Sequence, residues 1–206
     1  LVAAVYDRFK LIEIDDTLKL KSFLASMENY FHGSSSGIDP LQCYFGKPFV
    51  LSQKITDNGQ QSSFTILDND FISDDIHIFL LDTNIKSPTG PLVEHFKERR
   101  QDEKYLDKFN NEYVPLVSEC IDCLVEKKDD EFFANLLRLS TLQLELLSHT
   151  IPDDYKEYFL KDINEDHFQI KLCGAGGGGF LLGFSDDIEA TGRYWEDRGK
   201  KISWIR

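Results

Sequence analysis

The chain has 206 residues and a formal net charge of −13, with 41% hydrophobic and 13% aromatic side chains. That length fits one ordinary domain or two small ones, and the apolar share is enough for a packed core. So acidic a surface repels phosphate backbones and speaks against a nucleic-acid partner, although local groups or a metal can still hold a small anion. No stretch is long and apolar enough to span a membrane, and no secretory signal is visible.

Residues 1–9 read as a helix that starts without a Ser, Thr, Asp or Asn cap, which predicts further chain upstream in the full-length protein. Leu20, Phe23, Leu24, Met27 and Phe31 recur at helical spacing and predict a helix over 17–31, stopped by Gly33 in a left-handed conformation. Residues 48–55, 62–67 and 77–83 read as strands, with Asn58-Gly59 as the turn between the first two. Two amphipathic helices follow between Pro91 and Lys128, interrupted near Asn110 and Pro115. Phe133, Leu136, Leu137, Leu144 and Leu147 form one stripe of a helix over 130–149, and 153–163 reads as another helix. Strands over 168–173 and 180–184 flank a glycine run, and a helix over 187–198 and a strand over 201–206 close the chain. Strands and helices are partly segregated with hairpin-like links, which favours α+β with a mainly antiparallel sheet.

The four cysteines are scattered. Cys120 and Cys123 form a C-x-x-C inside an amphipathic helix with no second pair, which reads as buried thiols, not zinc or redox chemistry. A reducing cytoplasm fits this usage.

Gly174, Gly176 and Gly179 match the G-x-G-x-x-G dinucleotide fingerprint on paper. That fingerprint needs a helix after it, whereas "FLLGF" reads as a strand, so the reading is rejected. A run this rich in glycine costs backbone entropy and calls for a reason. It is either a flexible loop or one that lets backbone come very close to a phosphate or a neighbouring loop.

The segment "ENYFHGSSSGIDP" (28–40) carries the other candidate chemistry. Asp39 before Pro40, with Gln42 three residues on, reads as a helix N-cap. Glu28 reads equally as a solvated residue on the polar side of its helix. The small residues of "GSSSG" nevertheless make a concave place beside a helix start, where an anion can sit, and a second carboxylate there can hold Mg²⁺.

Together, "E-x-x-x-HG-x-x-SGID", "LLDTNIKSPTGPLV" and "KLCGAGGGGFLLGF" resemble three ordered motifs of the GHMP kinases (galactokinase, homoserine kinase, mevalonate kinase, phosphomevalonate kinase). The spacing from Glu28 to Asp39 is similar to that of the mevalonate kinase branch. The resemblance covers essentially the whole chain. It implies a GHMP-kinase-like α+β fold, with residues 1–75 the remainder of an N-terminal domain and 76–206 a ferredoxin-like C-terminal domain. It implies ATP and Mg²⁺ as cofactors and a small primary alcohol, mevalonate first, as substrate; a homodimer stays open. Asp39 would be the catalytic base or orienting carboxylate and Glu28 a Mg²⁺ ligand. His32, Gly33, Ser35, Ser36 and Thr89 would shape the substrate region. Gly174, Ala175, Gly176, Gly177, Gly178 and Gly179 would pack against the nucleotide loop and support the phosphates. Cys173 stands where Thr is usual, Ser35 where Pro is common and Lys86 where Arg is frequent. The family's ATP-binding loop is not in the sequence. Another GHMP kinase, a decarboxylase that uses ATP similarly, and a non-catalytic scaffold domain are the rival readings.

Overall fold

The computed structural model describes residues 1–9, 12–33, 35–56, 59–68, 70–86 and 89–205, and leaves out the side chains of 32, 53–56, 59–62 and 89. The expected Asn58-Gly59 turn therefore lies outside the described residues at Asn58. Two compact units divide the chain, Leu1–Phe71 and Ile72–Arg206.

In the first unit, α1 (Val2–Phe9), α2 (Thr17–His32) and α3 (Ile38–Phe45) precede an antiparallel hairpin of β1 (Phe49–Thr56) and β2 (Gly59–Ile66). Asp16 caps α2 through its side chain, which accepts from the Lys19 amide at 2.9 Å, and Gly33 ends it with φ +76°. Leu20 and Leu24 meet Val2, Tyr6 and Leu41 in the core, with Phe23 and Met27 at its edge. Phe31 departs from the expected stripe: it is 61% exposed and packs edge-on against Tyr30.

The second unit contains a four-stranded sheet in the order β4-β5-β3-β6, built from β3 (His77–Asp82), β4 (Phe168–Leu172), β5 (Phe180–Ser185) and β6 (Lys201–Trp204). Every pairing in it is antiparallel, as the segregation of elements predicts. Its helices are α4 (Thr89–Arg99), α5 (Glu103–Lys108), α6 (Val114–Val125), α7 (Asp129–Leu146), α8 (Ile163–Asp166) and α9 (Ile188–Asp197). Trp195 of α9, Phe79 and Leu81 of β3 and Phe168 and Ile170 of β4 form the core with Phe159.

Three expectations are corrected here. Residues 109–113 form a π turn joining α5 to α6, so Asn110 and Pro115 do not break the helix; the break lies after Arg99, before the Asp102 cap of α5. The buried stripe of α7 runs through Phe132, Phe133, Leu136, Leu139, Gln143 and Leu146, while Leu137, Leu144 and Leu147 are only half-buried. Two buried polar groups, Ser140 and Gln143, share the stripe and hide it from a purely apolar periodicity. Residues 153–160 are 3₁₀ rather than α, with α8 as a separate short helix.

Candidate functional site

In the first unit, the geometry is set where α2 ends and α3 begins. The Ser35 hydroxyl donates to Glu28 Oε2, closing a link from the last turns of α2 to the connecting loop. Ser35 Oγ also accepts from the Gly37 amide at 2.9 Å, and Ser36 Oγ from the Ile38 amide at 3.3 Å. These serines satisfy amides at the start of α3 that have no intrahelical partner. Asp39 is therefore not the cap. Gly37 holds that position at φ +73°, and Asp39 sits exposed in the first helical turn. Pro40 is tolerated because its missing N–H is one the helix would leave unpaired anyway.

Gly37 is the residue that sequence reasoning missed. A Cβ there would meet Lys21 O of α2 at 2.3 Å and Ala25 Cβ at 3.0 Å. Only glycine permits both the left-handed backbone and this approach of α3 to α2. Its signal in the sequence was the glycine directly before Ile38-Asp39. The outcome is a half-buried Glu28 tied to Ser35, and an exposed Asp39 carboxylate in a turn whose amides stabilise negative charge. His32 is the last residue of α2 and Gly33 its left-handed stop.

Among the described residues, no three His, Cys, Asp or Glu side chains converge as a metal cluster. A metal at Glu28 would be of the magnesium type, held by one or two carboxylates together with phosphate and water. The single half-buried carboxylate fits that habit.

In the second unit, the glycine run is the β4–β5 hairpin loop. The element after it is a strand, which removes the dinucleotide reading on structural grounds. Close packing accounts for two of its glycines. A Cβ on Gly176 would lie 2.6 Å from Thr150 O, and one on Gly178 would lie 2.4 Å from Ile85 O. The Gly177 amide donates to Thr150 O at 2.5 Å and the Gly179 amide to Ile85 O at 2.8 Å. Gly179 O in turn accepts from the Thr83 amide and hydroxyl, at 2.9 and 2.8 Å. The loop is thus clamped between two neighbouring segments. Gln143 fixes its base: Gln143 Oε1 accepts from the Leu172 amide at 2.8 Å while its Nε2 donates to Tyr113 OH at 3.0 Å. Thr89 begins α4 in this same unit, and Lys86 is exposed.

A cavity of about 220 Å³ adjoins the loop, lined in part by Phe96, Phe109, Tyr113, His149, Gly174 and Ala175. The His149 ring stacks on His95 with centroids 4.0 Å apart. Burial, then the neighbouring His95 and Arg99, hold His149 below the ordinary imidazole range. Neither histidine stood out in the sequence, because they lie on separate elements.

No protein-family model matches the chain. A mevalonate kinase from Dictyostelium discoideum is 26% identical over 162 residues, covering 75% of this chain and 39% of that protein. Among solved structures, the L. major mevalonate kinase in complex with R-mevalonate superposes with a TM-score of 0.70 at 16% identity, over 98% of this chain and 60% of that one. The Streptococcus pneumoniae phosphomevalonate kinase, in complex with phosphomevalonate and AMPPNP, gives 0.66 at 16% identity, over 98% and 65%.

The chain has the GHMP kinase fold.

Within that fold, the two motif regions fall in different units: Glu28 to Asp39 in Leu1–Phe71, and Thr89 with the glycine loop in Ile72–Arg206. The chain spans 39% of the length of the curated relative it matches. Among its described residues, no helix is long and apolar enough to cross a membrane. Cys120 and Cys123 are buried on α6, and burial pushes the Cys120 thiol up to about 12, in keeping with inert structural thiols.

Proposed function

We propose that the full-length protein is an ATP-dependent kinase that phosphorylates a primary alcohol, with mevalonate as its substrate. The observation that carries this reading is the Glu28–Ser35 link between α2 and the loop that leads into α3, with Asp39 in the first turn of that helix, in a chain similar to a mevalonate kinase.

Phosphoryl transfer asks a protein for positioning and charge neutralisation more than for covalent chemistry. Asp39 orients the substrate hydroxyl and takes up its proton as the oxygen attacks the γ-phosphorus and the bond from that phosphorus to the bridging oxygen breaks, releasing ADP. Its place in a helical turn anchored by Gly37 fixes the carboxylate relative to α2. Glu28 would hold Mg²⁺, which when bound would neutralise phosphate charge. Ser35 holds Glu28 in one rotamer, so that a flexible carboxylate is already placed. His32, Gly33, Ser36 and Thr89 shape the substrate region. In the glycine loop, the Gly177 and Gly179 amides are committed to Thr150 and Ile85. Support of the phosphates therefore falls to the amides of Gly174, Ala175, Gly176 and Gly178. The domain division read from the sequence, 1–75 and 76–206, assigns the catalytic carboxylate to the first part and the loop to the second.

ATP consumption by the full-length protein tests the proposal, with mevalonate, phosphomevalonate, galactose and homoserine as acceptors. Turnover on mevalonate is expected, with kcat reduced about 10²- to 10⁴-fold in Asp39→Asn, the usual contribution of a positioned general base. A loss below about threefold would leave Asp39 a purely structural residue. Turnover on another acceptor alone would keep the kinase and change the substrate. No turnover on any acceptor by a folded protein would favour a scaffold.

A further inference from the structure

At the end of the four-stranded sheet opposite the glycine loop, the second unit holds a larger cavity, of about 440 Å³. Five carboxylates line it: Asp75 ahead of β3, Asp129 and Asp130 in the first turn of α7, Asp162 at the cap of α8, and Asp186 after β5. Among the described residues, no lysine or arginine lines it. The amides of a helix start stabilise a carboxylate or two. Five carboxylates drawn from four segments of chain exceed that need.

A second observation concerns Gln169 of β4, which also lines the cavity. It is only 1% exposed, and its Oε1 has no hydrogen-bond partner. Asp129 Oδ1 is likewise buried and unpartnered. Both atoms are acceptors, and buried acceptors without donors are costly and rare. The missing component is therefore a donor. One water occupies only about 30 Å³, whereas the cavity falls within the range of about 300–1,000 Å³ of small-molecule sites. A bare metal ion is a poor match, because among the described residues the acids do not converge as a metal cluster.

We propose that this cavity binds a small organic cation carrying two or more protonated amines. Its N–H groups donate to Gln169 Oε1 and Asp129 Oδ1, and its charges rest among the carboxylates. Asp186 already faces His167 Nδ1 at 3.1 Å, and Asp162 accepts from the Asn164 amide at 3.0 Å. The ammonium groups are therefore met chiefly by Asp75, Asp129 and Asp130. This site is separate from the glycine loop and does not depend on the kinase reading.

Calorimetric titration of the full-length protein at physiological ionic strength tests it, with spermidine, putrescine, propylamine and, separately, MgCl₂ as the probes. One-to-one binding of spermidine is expected, at least about tenfold tighter than propylamine. Asp129→Asn/Asp130→Asn is expected to weaken it at least about tenfold, while Glu196→Gln/Asp197→Asn, which removes the same charge from an exposed part of α9, leaves it within about twofold. Gln169→Leu is expected to weaken spermidine without lowering the melting temperature of the amine-free protein, since it deletes an unsatisfied acceptor. Circular dichroism confirms folding, and Gln169→Leu decides the matter if the double aspartate variant does not fold. Equal weakening in the two double variants would reduce the effect to diffuse attraction by an acidic surface and overturn the proposal. So would equal affinity for propylamine, no binding of any amine, or stoichiometric Mg²⁺ that excludes spermidine.

Discussion

Asp39 shows how one residue can carry two readings that only geometry separates. A carboxylate before a proline has every local reason to cap a helix, yet Gly37 takes the cap and Ser35 and Ser36 serve the amides around it. That leaves Asp39 exposed. The same scale explains the glycine run. Gly178 sits at φ +153° with Ile85 O where a side chain would be, so Gly178→Ala is expected to destabilise the fold by about 1–3 kcal/mol in denaturant titration. Gly174 has open space around its Cβ position. Gly174→Ala is strained only by its own left-handed backbone and is expected to cost less, about 1 kcal/mol. Equal costs would refute the clamp. The cysteines give a second test. Cys43 and Cys173 are exposed, while Cys120 and Cys123 are buried, Cys120 with its thiol held protonated by burial. Two thiols of the native protein are expected to react quickly with a disulfide reagent near neutral pH, and the other two only on unfolding.

At the scale of elements, the boundaries that failed share a cause. A π turn at Phe109–Tyr113 absorbs what looked like a break, and it turns Tyr113 toward Gln143 of α7. Gln143 then holds the last amide of β4, where the glycine loop begins. No local propensity announces this relay, because each partner comes from a different segment of the chain. Gln143→Leu would leave the Leu172 amide without its acceptor and Tyr113 OH without its donor. A loss of about 1–3 kcal/mol is expected by chemical denaturation, the cost of orphaned buried groups. A neutral outcome would mean that water replaces the amide. The strands, by contrast, were legible to within three residues at each end, since apolar runs between turn signals leave little choice. The glycine hairpin was legible for the same reason: a strand pattern follows it directly.

For the whole molecule, the two units each hold a core of their own. Residues 72–206 contain the entire four-stranded sheet and its helices, so this piece, expressed alone, is expected to melt cooperatively by circular dichroism. A non-cooperative transition would show that it relies on the first 71 residues. By itself the sequence determined the α+β class, the antiparallel character of the sheet and the hairpin nature of the glycine run, while the residues to test for kinase chemistry came from a resemblance to the GHMP kinases. The class, the sheet and the hairpin follow from periodicity and turn residues, which are written along the chain. Only the tertiary structure decided that Gly37 seats α3 on α2, that His95 stacks on His149, and that five aspartates line one cavity with Gln169. Those arrangements depend on contacts between residues far apart in sequence, and packing rather than local propensity selects them.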